Sequence, residues 1–404
     1  MTDYIVVGHF MVVMVSIVLL CARFQVRNSA LFLNYSTYLI VFGIFYISLP
    51  SIITTVTGVS LVGSSKNTIE YAAIVGLYFN CIFFLFFYFS TKKPSHIFEI
   101  QPGIAPTYKL FAIAASAFIG LYVLFFLLKD APQLMDIYNN RRLQANYDNL
   151  LIQTFKVYFF SKIQIICISF LILTTKNMKY LGFFAPFLVL DIVLSGRDLI
   201  FSFMVLAIVL SGLLQRNINI AYLLGVTIVL LLMGVLRSNN VLEWSDAEMA
   251  VGEFMYTWTT THLIIESDAV NDWQSMFVFS SFKIFPGGTY EALFGPYKHY
   301  HHVIVDGNPF LWGLAGSVVS EALSFKSYLA IMVVPLIMVA YGCLINSLLR
   351  INLVFTKILF LLSILYIHPI VRFTFFEHIL YPFYLVLFFG FWIIFYDLRR
   401  LYRQ

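Results

Sequence analysis

Charge is scarce in this chain: Asp, Glu, Lys and Arg make up 11% of its 404 residues, against about a quarter in a soluble domain. So small a share cannot cover a water-facing surface, which excludes a soluble enzyme. The net charge of +5 is carried by basic residues dispersed along loop ends, so a nucleic-acid binder is excluded too. Cysteine is rare, and Cys21, Cys81, Cys167 and Cys343 all sit within apolar runs, where a thiol behaves as a small hydrophobe. No disulfide framework or zinc spacing can be drawn through them. There is no GxxxxGK[ST] loop, no repeat of fixed period and no low-complexity tract.

What the chain has is apolar side chains, 61% of the total, with 43 Phe and 25 Tyr among them. A membrane helix needs roughly 20 apolar residues, so this stock suffices for about a dozen crossings. The chain reads as an all-α polytopic membrane protein with 11 to 14 transmembrane helices. Eleven runs are bounded by polar or Pro/Gly clusters: 5–22, 31–50, 71–90, 110–128, 155–175, 180–195, 199–214, 219–236, 327–349, 358–371 and 379–397. The tenth can start near Leu353 if Lys357 snorkels. Three stretches follow: an N-terminal bundle over 1–236 with an external loop at 129–154, a large external loop over 237–326, and C-terminal spans over 327–404. Met1–Tyr4 carries no basic n-region, so the first run reads as an uncleaved helix rather than a signal peptide.

Orientation comes from Lys and Arg in alternate loops. One side holds 13 in 50 residues, ending in the basic tail 398–404; the other holds 10 in 150. The positive-inside rule makes the denser side cytoplasmic, with the N-terminus and the 237–326 loop outside. Seventeen of the 20 acidic residues fall in external loops, so any chemistry faces outward. The aromatic-rich large loop predicts interfacial helices on the outer leaflet and a re-entrant segment near Phe310–Leu323.

The spans themselves hold few ionisable groups: His9, Lys162, Asp191 and His368, with Lys156 and Asp397 nearer the ends. A cation-coupled transporter keeps carboxylates near the midplane, and Asp191 lies only about 6 Å below its helix end. Lys162 and Asp191 either pair to ease burial or sit beneath a substrate site.

Five arginines lie outside, where positive charge is disfavoured: Arg141, Arg142, Arg197, Arg237 and Arg372. Three of them stand at span ends, level with lipid headgroups. Guanidinium offers a planar donor fork that fits phosphate oxygens, so the set makes a diphosphate clamp; the alternative is headgroup contact or pairing with Asp198 and Glu377. Tyr138, Asn139 and Tyr147 around Arg141 and Arg142 look like a carbohydrate surface, to which Trp244 and Trp312 add aromatic faces, though a solvated loop has the same composition. Glu321 follows a small-residue helical face (Gly313, Gly316, Ser317, Ser320) and is a candidate base, or a partner of Lys326. In Lys298-His299-Tyr300-His301-His302, His302 is the acid/base candidate and a metal site is not expected.

These residues resemble the O-antigen polymerase (Wzy) family of bacterial inner membranes. The likeness rests on Ser195-Gly196-Arg197-Asp198 between two outward-joined helices, the Arg-bearing loop 129–154, the large late loop, the stretch ending in Ser320-Glu321, and Arg372 near the last hairpin. The family carries about twelve spans with the N-terminus inside, against the eleven counted here with it outside. The resemblance implies a GT-C-like bundle that polymerises undecaprenyl-diphosphate-linked oligosaccharide repeats on the periplasmic side. It moves the growing chain to the non-reducing end of a new repeat, with inversion and without cofactor or metal. Asp198, Glu321 and His302 would be its catalytic groups, and a chain-length-regulating co-polymerase a further partner. The same residues leave open a flippase or other transporter of lipid-linked oligosaccharide, a ligase passing finished glycan to lipid A, and a membrane acyltransferase.

Overall fold

The computed structural model describes residues 2–58, 63–91, 106–140, 148–193, 198–216, 246–267, 293, 316–372 and 375–402. Among these every regular element is a helix. In chain order they are α1 (Thr2–Leu31), α2 (Tyr35–Gly43), a π-helical turn (Ile44–Ser48), α3 (Leu49–Thr57), α4 (Lys66–Ser90), α5 (Pro106–Asn140) and α6 (Asp148–Thr175). A 3-10 helix (Met178–Phe184), α7 (Ala185–Val193), α8 (Asp198–Leu213), α9 (Asp246–Glu266), α10 (Val318–Ser324) and α11 (Tyr328–Ser347) follow. After a 3-10 turn (Leu348–Arg350) come α12 (Val354–Leu365), α13 (Ile367–Arg372), α14 (Phe375–His378), α15 (Tyr381–Phe389) and α16 (Phe391–Tyr402).

Among the described residues six stretches are long and apolar enough to cross a membrane: Thr2–Gln25, Tyr35–Thr57, Lys66–Ser90, Pro106–Lys129, Tyr328–Arg350 and Val354–Arg372. The pair α15 and α16, bent by 69°, makes a seventh if it counts as one span. An all-helical chain of this kind is consistent with a multi-pass membrane protein, because a helix satisfies its own backbone groups in lipid. The predicted run 155–175 falls within the 28 residues of α6, and the run 199–214 corresponds to a shorter apolar helix, Asp198–Leu213. The run 180–195 becomes the 3-10 helix followed by the nine residues of α7. At 1.5 Å per residue α8 rises only about 24 Å, less than the ~30 Å of hydrocarbon. The run 219–236 lies outside the described residues.

The chain divides into two compact units, each drawing on all three stretches that the sequence separates. Unit 1 comprises Met1–Ser95, Val251–Ser347 and Tyr366–Tyr384. Here α2, the π-turn and α3 form one continuous span. The wider turn directs Ser48 and Tyr46 into polar contacts, a use π-turns often have. Ser48 Oγ lies 3.1 Å from His9 Nδ1 and accepts from Asn80 Nδ2 at 2.7 Å, while His9 Nε2 meets the Ala73 carbonyl at 2.9 Å. A carbonyl only accepts, so Nε2 carries the proton and Nδ1 accepts from the serine. Neutral groups thereby tie α1 and α4 to the π-turn. Asn80 also donates to the Gly43 carbonyl at 3.2 Å, and a Cβ at Gly43 would lie 2.4 Å from Asn80 Oδ1; only glycine permits this approach. The α2 start is capped by Asn34, whose Oδ1 accepts from Ser36 N–H and from Asn346 Nδ2.

Unit 2 comprises His96–Ala250, Leu348–Leu365 and Leu385–Gln404. In it α5 packs on α6 and α7, and α12 on α6, α8 and α16. Phe170 meets the rings of Trp392 and Tyr396 edge-on at 4.6 and 5.0 Å. The α12 start is held from α16: Asp397 Oδ1 accepts from Val354 N–H at 3.1 Å and Oδ2 from Phe355 N–H at 2.9 Å. The tenth span does begin near Leu353, but Lys357 does not snorkel. It is 1% exposed, and its ammonium donates to the Leu349 carbonyl, a group the short 3-10 turn leaves within reach of the first turn of α12.

Candidate functional site

In unit 1, Arg372 closes α13 and is half-buried. His368 stands four residues earlier, so the two share one face of the helix. It too is half-buried, whereas Ile370 and Val371 between them are buried. The π-turn supplies the next contact: Tyr46 Oη lies 2.8 Å from His368 Nε2, with Phe254 of α9 edge-on to the Tyr46 ring at 4.8 Å. A permanently charged fork therefore stands one turn from a hydrogen-bonded imidazole–phenol pair. Phosphate oxygens suit the first, and a proton in transit suits the second.

Glu321, the expected base, is fully buried on α10. Its Oε2 accepts from Phe375 N–H at 2.5 Å and its Oε1 from Phe376 N–H at 3.2 Å. The carboxylate thus caps α14, satisfying two donors that a helix start leaves open. Lys326, the alternative partner named for it, donates through Nζ to the carbonyls of Ile264 and Ser267, each at 2.5 Å. A capping box at Ser317 and Ser320 starts α10.

In unit 2, Asp198 is exposed at the first residue of α8. Asp191 is fully buried and reaches across to that helix, its Oδ2 accepting from Leu199 N–H at 3.0 Å and Ile200 N–H at 2.9 Å. Lys162 Nζ donates to Ser202 Oγ at 3.4 Å and is within electrostatic reach of Asp198 and Asp191. Asp191 thus has a capping role that its position in the chain did not announce.

Unit 1 also buries a polar run that residue order does not reveal. Thr257, Trp258, Thr259, Thr260, Thr261 and His262 of α9 are each 0–2% exposed. Six consecutive buried positions cover every face of a helix, so protein encloses this part of the large loop on every side. Thr261 Oγ1 lies 3.1 Å from Ser317 Oγ, tying α9 to α10. Burial pulls the His262 imidazole down to about 4, against an upward pull from the Glu266 carboxylate. Threonine and tryptophan are at home both on a wet interface and in a polar interior, which is why the run gave no signal.

Of the remaining expected residues, Arg141, Arg142, Arg197, Arg237, His302, Tyr147, Trp244 and Trp312 lie outside the described residues. Tyr138 and Asn139 fall on the last turn of α5, their side chains likewise outside them. Among the described residues no three His, Cys, Asp or Glu are grouped as metal ligands would be. No family model matches the chain, and neither does any curated protein or solved structure.

Proposed function

We propose that the chain is a polytopic inner-membrane glycosyltransferase, with around eleven spans in a GT-C-like bundle. On its periplasmic face it polymerises undecaprenyl-diphosphate-linked oligosaccharide repeats, as its resemblance to O-antigen polymerases implies. The observation that carries this reading is the α13 face, where Arg372 and His368 are both half-buried one turn apart. In the reaction an acceptor sugar hydroxyl attacks the anomeric carbon of the donor. The bond from that carbon to the diphosphate oxygen breaks, and the lipid diphosphate leaves with the electron pair. Arg372 stabilises the charge that develops on the leaving group, and His368, steadied by Tyr46, takes the hydroxyl proton. Diphosphate-binding roles for Arg141, Arg142, Arg197 and Arg237, and glycan-binding roles for Tyr138, Asn139, Tyr147, Trp244 and Trp312, rest on the resemblance alone.

The buried carboxylates support an enzyme over a cation-coupled transporter. Among the described residues these are Asp191, Glu321 and Asp397, and each accepts two consecutive N–H groups at a helix start. A coupling carboxylate has to bind and release its ion during the cycle, which ill suits a group that holds a helix end.

The test is purified protein in lipid nanodiscs given one defined undecaprenyl-diphosphate-linked repeat. A ladder of polymer is expected, and Arg372→Ala should slow it on the order of 100-fold. A folded protein that builds no ladder but carries the repeat across a vesicle bilayer would replace this reading with a flippase.

A further inference from the structure

We infer that Glu321 is the positioning residue for Arg372: its carboxylate holds the backbone leaving the arginine and so sets where the guanidinium stands. This rests on the reading above, in which Arg372 grips the departing diphosphate.

Phe375 and Phe376 are the third and fourth residues after Arg372, and Glu321 takes one N–H from each on separate oxygens. The chain is therefore held on both sides of residues 373–374, by α13 before them and by a buried anion after them. Charge-assisted bonds of this kind are about twice as strong as neutral ones. The anchor is itself held. The Ser317–Ser320 box fixes the start of α10, and Thr261 joins Ser317 to α9. On the held side the Phe375 ring packs against Tyr341 at 6.2 Å and Phe376 against Phe325 at 6.3 Å. Here the two N–H groups fall on separate oxygens, and two acceptor oxygens side by side are what a carboxylate has and an amide does not. A glutamine here keeps one acceptor and presses its NH2 against the other N–H. That chemistry explains an acid at this buried place without any proton transfer to substrate.

The experiment is a double-mutant cycle on the full-length protein in nanodiscs, read as polymerisation rate on one defined lipid-diphosphate repeat. Arg372→Ala should cost on the order of 100-fold and Glu321→Gln about 10-fold. Combined, they should cost no more than Arg372→Ala alone, because nothing is left to position. Losses that multiply to about 1,000-fold would show independent roles and overturn the inference. Val318→Ala, on the same helix, is the control: it should lower the melting temperature yet multiply with Arg372→Ala. If Glu321→Gln does not fold, Glu321→Asp, with its carboxylate one methylene short, carries the same cycle. An unchanged ladder in Arg372→Ala alone would sink the diphosphate reading and the inference with it, a result distinct from multiplicative losses.

Discussion

Asp191 and Asp397 offer a comparison whose outcome follows from which oxygen does the accepting. Both N–H bonds at the α8 start converge on one oxygen, Asp191 Oδ2. At the α12 start the two bonds are divided between Asp397 Oδ1 and Oδ2. An asparagine keeps one carbonyl oxygen with two lone pairs. Asp191→Asn therefore retains both of these bonds while its charge is lost, and Lys162 keeps the influence of Asp198. The expected cost is about 1 kcal/mol, the difference between charged and neutral acceptors. Asp397→Asn must turn an NH2 group toward one N–H, leaving a buried donor unsatisfied; with the lost charge the cost is about 3 kcal/mol. For a unit of this size each kcal/mol moves the melting temperature by roughly 2–4 °C, so the two variants should melt about 5 °C apart. A thiol-reactive fluorophore reads this directly. With Cys21, Cys81 and Cys343 replaced by serine, the remaining thiol is buried Cys167 on α6 of the same unit, which reacts on unfolding. Equal melting of the two variants, or the reverse order, would refute the oxygen-by-oxygen argument.

Acid should destabilise the protein in part through His262. With its pKa at about 4 in the fold and 6.5 as the ordinary value, the unfolded chain takes up a proton first as pH falls. Stability is full above 6.5, drops between 6.5 and 4, and levels off below, by about 3 kcal/mol in all. His262→Gln should flatten that slope in pH-resolved melting curves, and an unchanged slope would exclude the residue as its source. Gly43→Ala should cost about 1–3 kcal/mol by overpacking, since its Cβ would meet Asn80 Oδ1 at 2.4 Å. Replacing Asn80 by Ala in the same chain should recover part of that loss, and a double variant no more stable than Gly43→Ala would argue against this contact as the cause.

Some of this was legible from residue order. Apolar runs near 20 residues placed the long helices, and the tenth span starts where Leu353 suggested. A start near Leu353 is open to Lys357 if its side chain snorkels, but the Leu349 carbonyl, eight residues back, is a nearer partner that periodicity does not reveal. Glu321 was picked out as chemically significant, yet which backbone donors its oxygens would meet depends on α14, more than fifty residues later. The Thr257–His262 run belongs to a loop whose composition suits an interface, and only its neighbours bury it.

Residue order alone determined that this is an apolar, helical, membrane-type chain. Hydropathy adds up locally, and in lipid each segment has to satisfy its own N–H and C=O groups within the helix. Tertiary structure decided what the few polar groups do. A buried carboxylate is a base, a coupling site or a helix cap according to which donors the fold brings to its lone pairs, and those donors at Asp191, Glu321 and Asp397 belong to other helices.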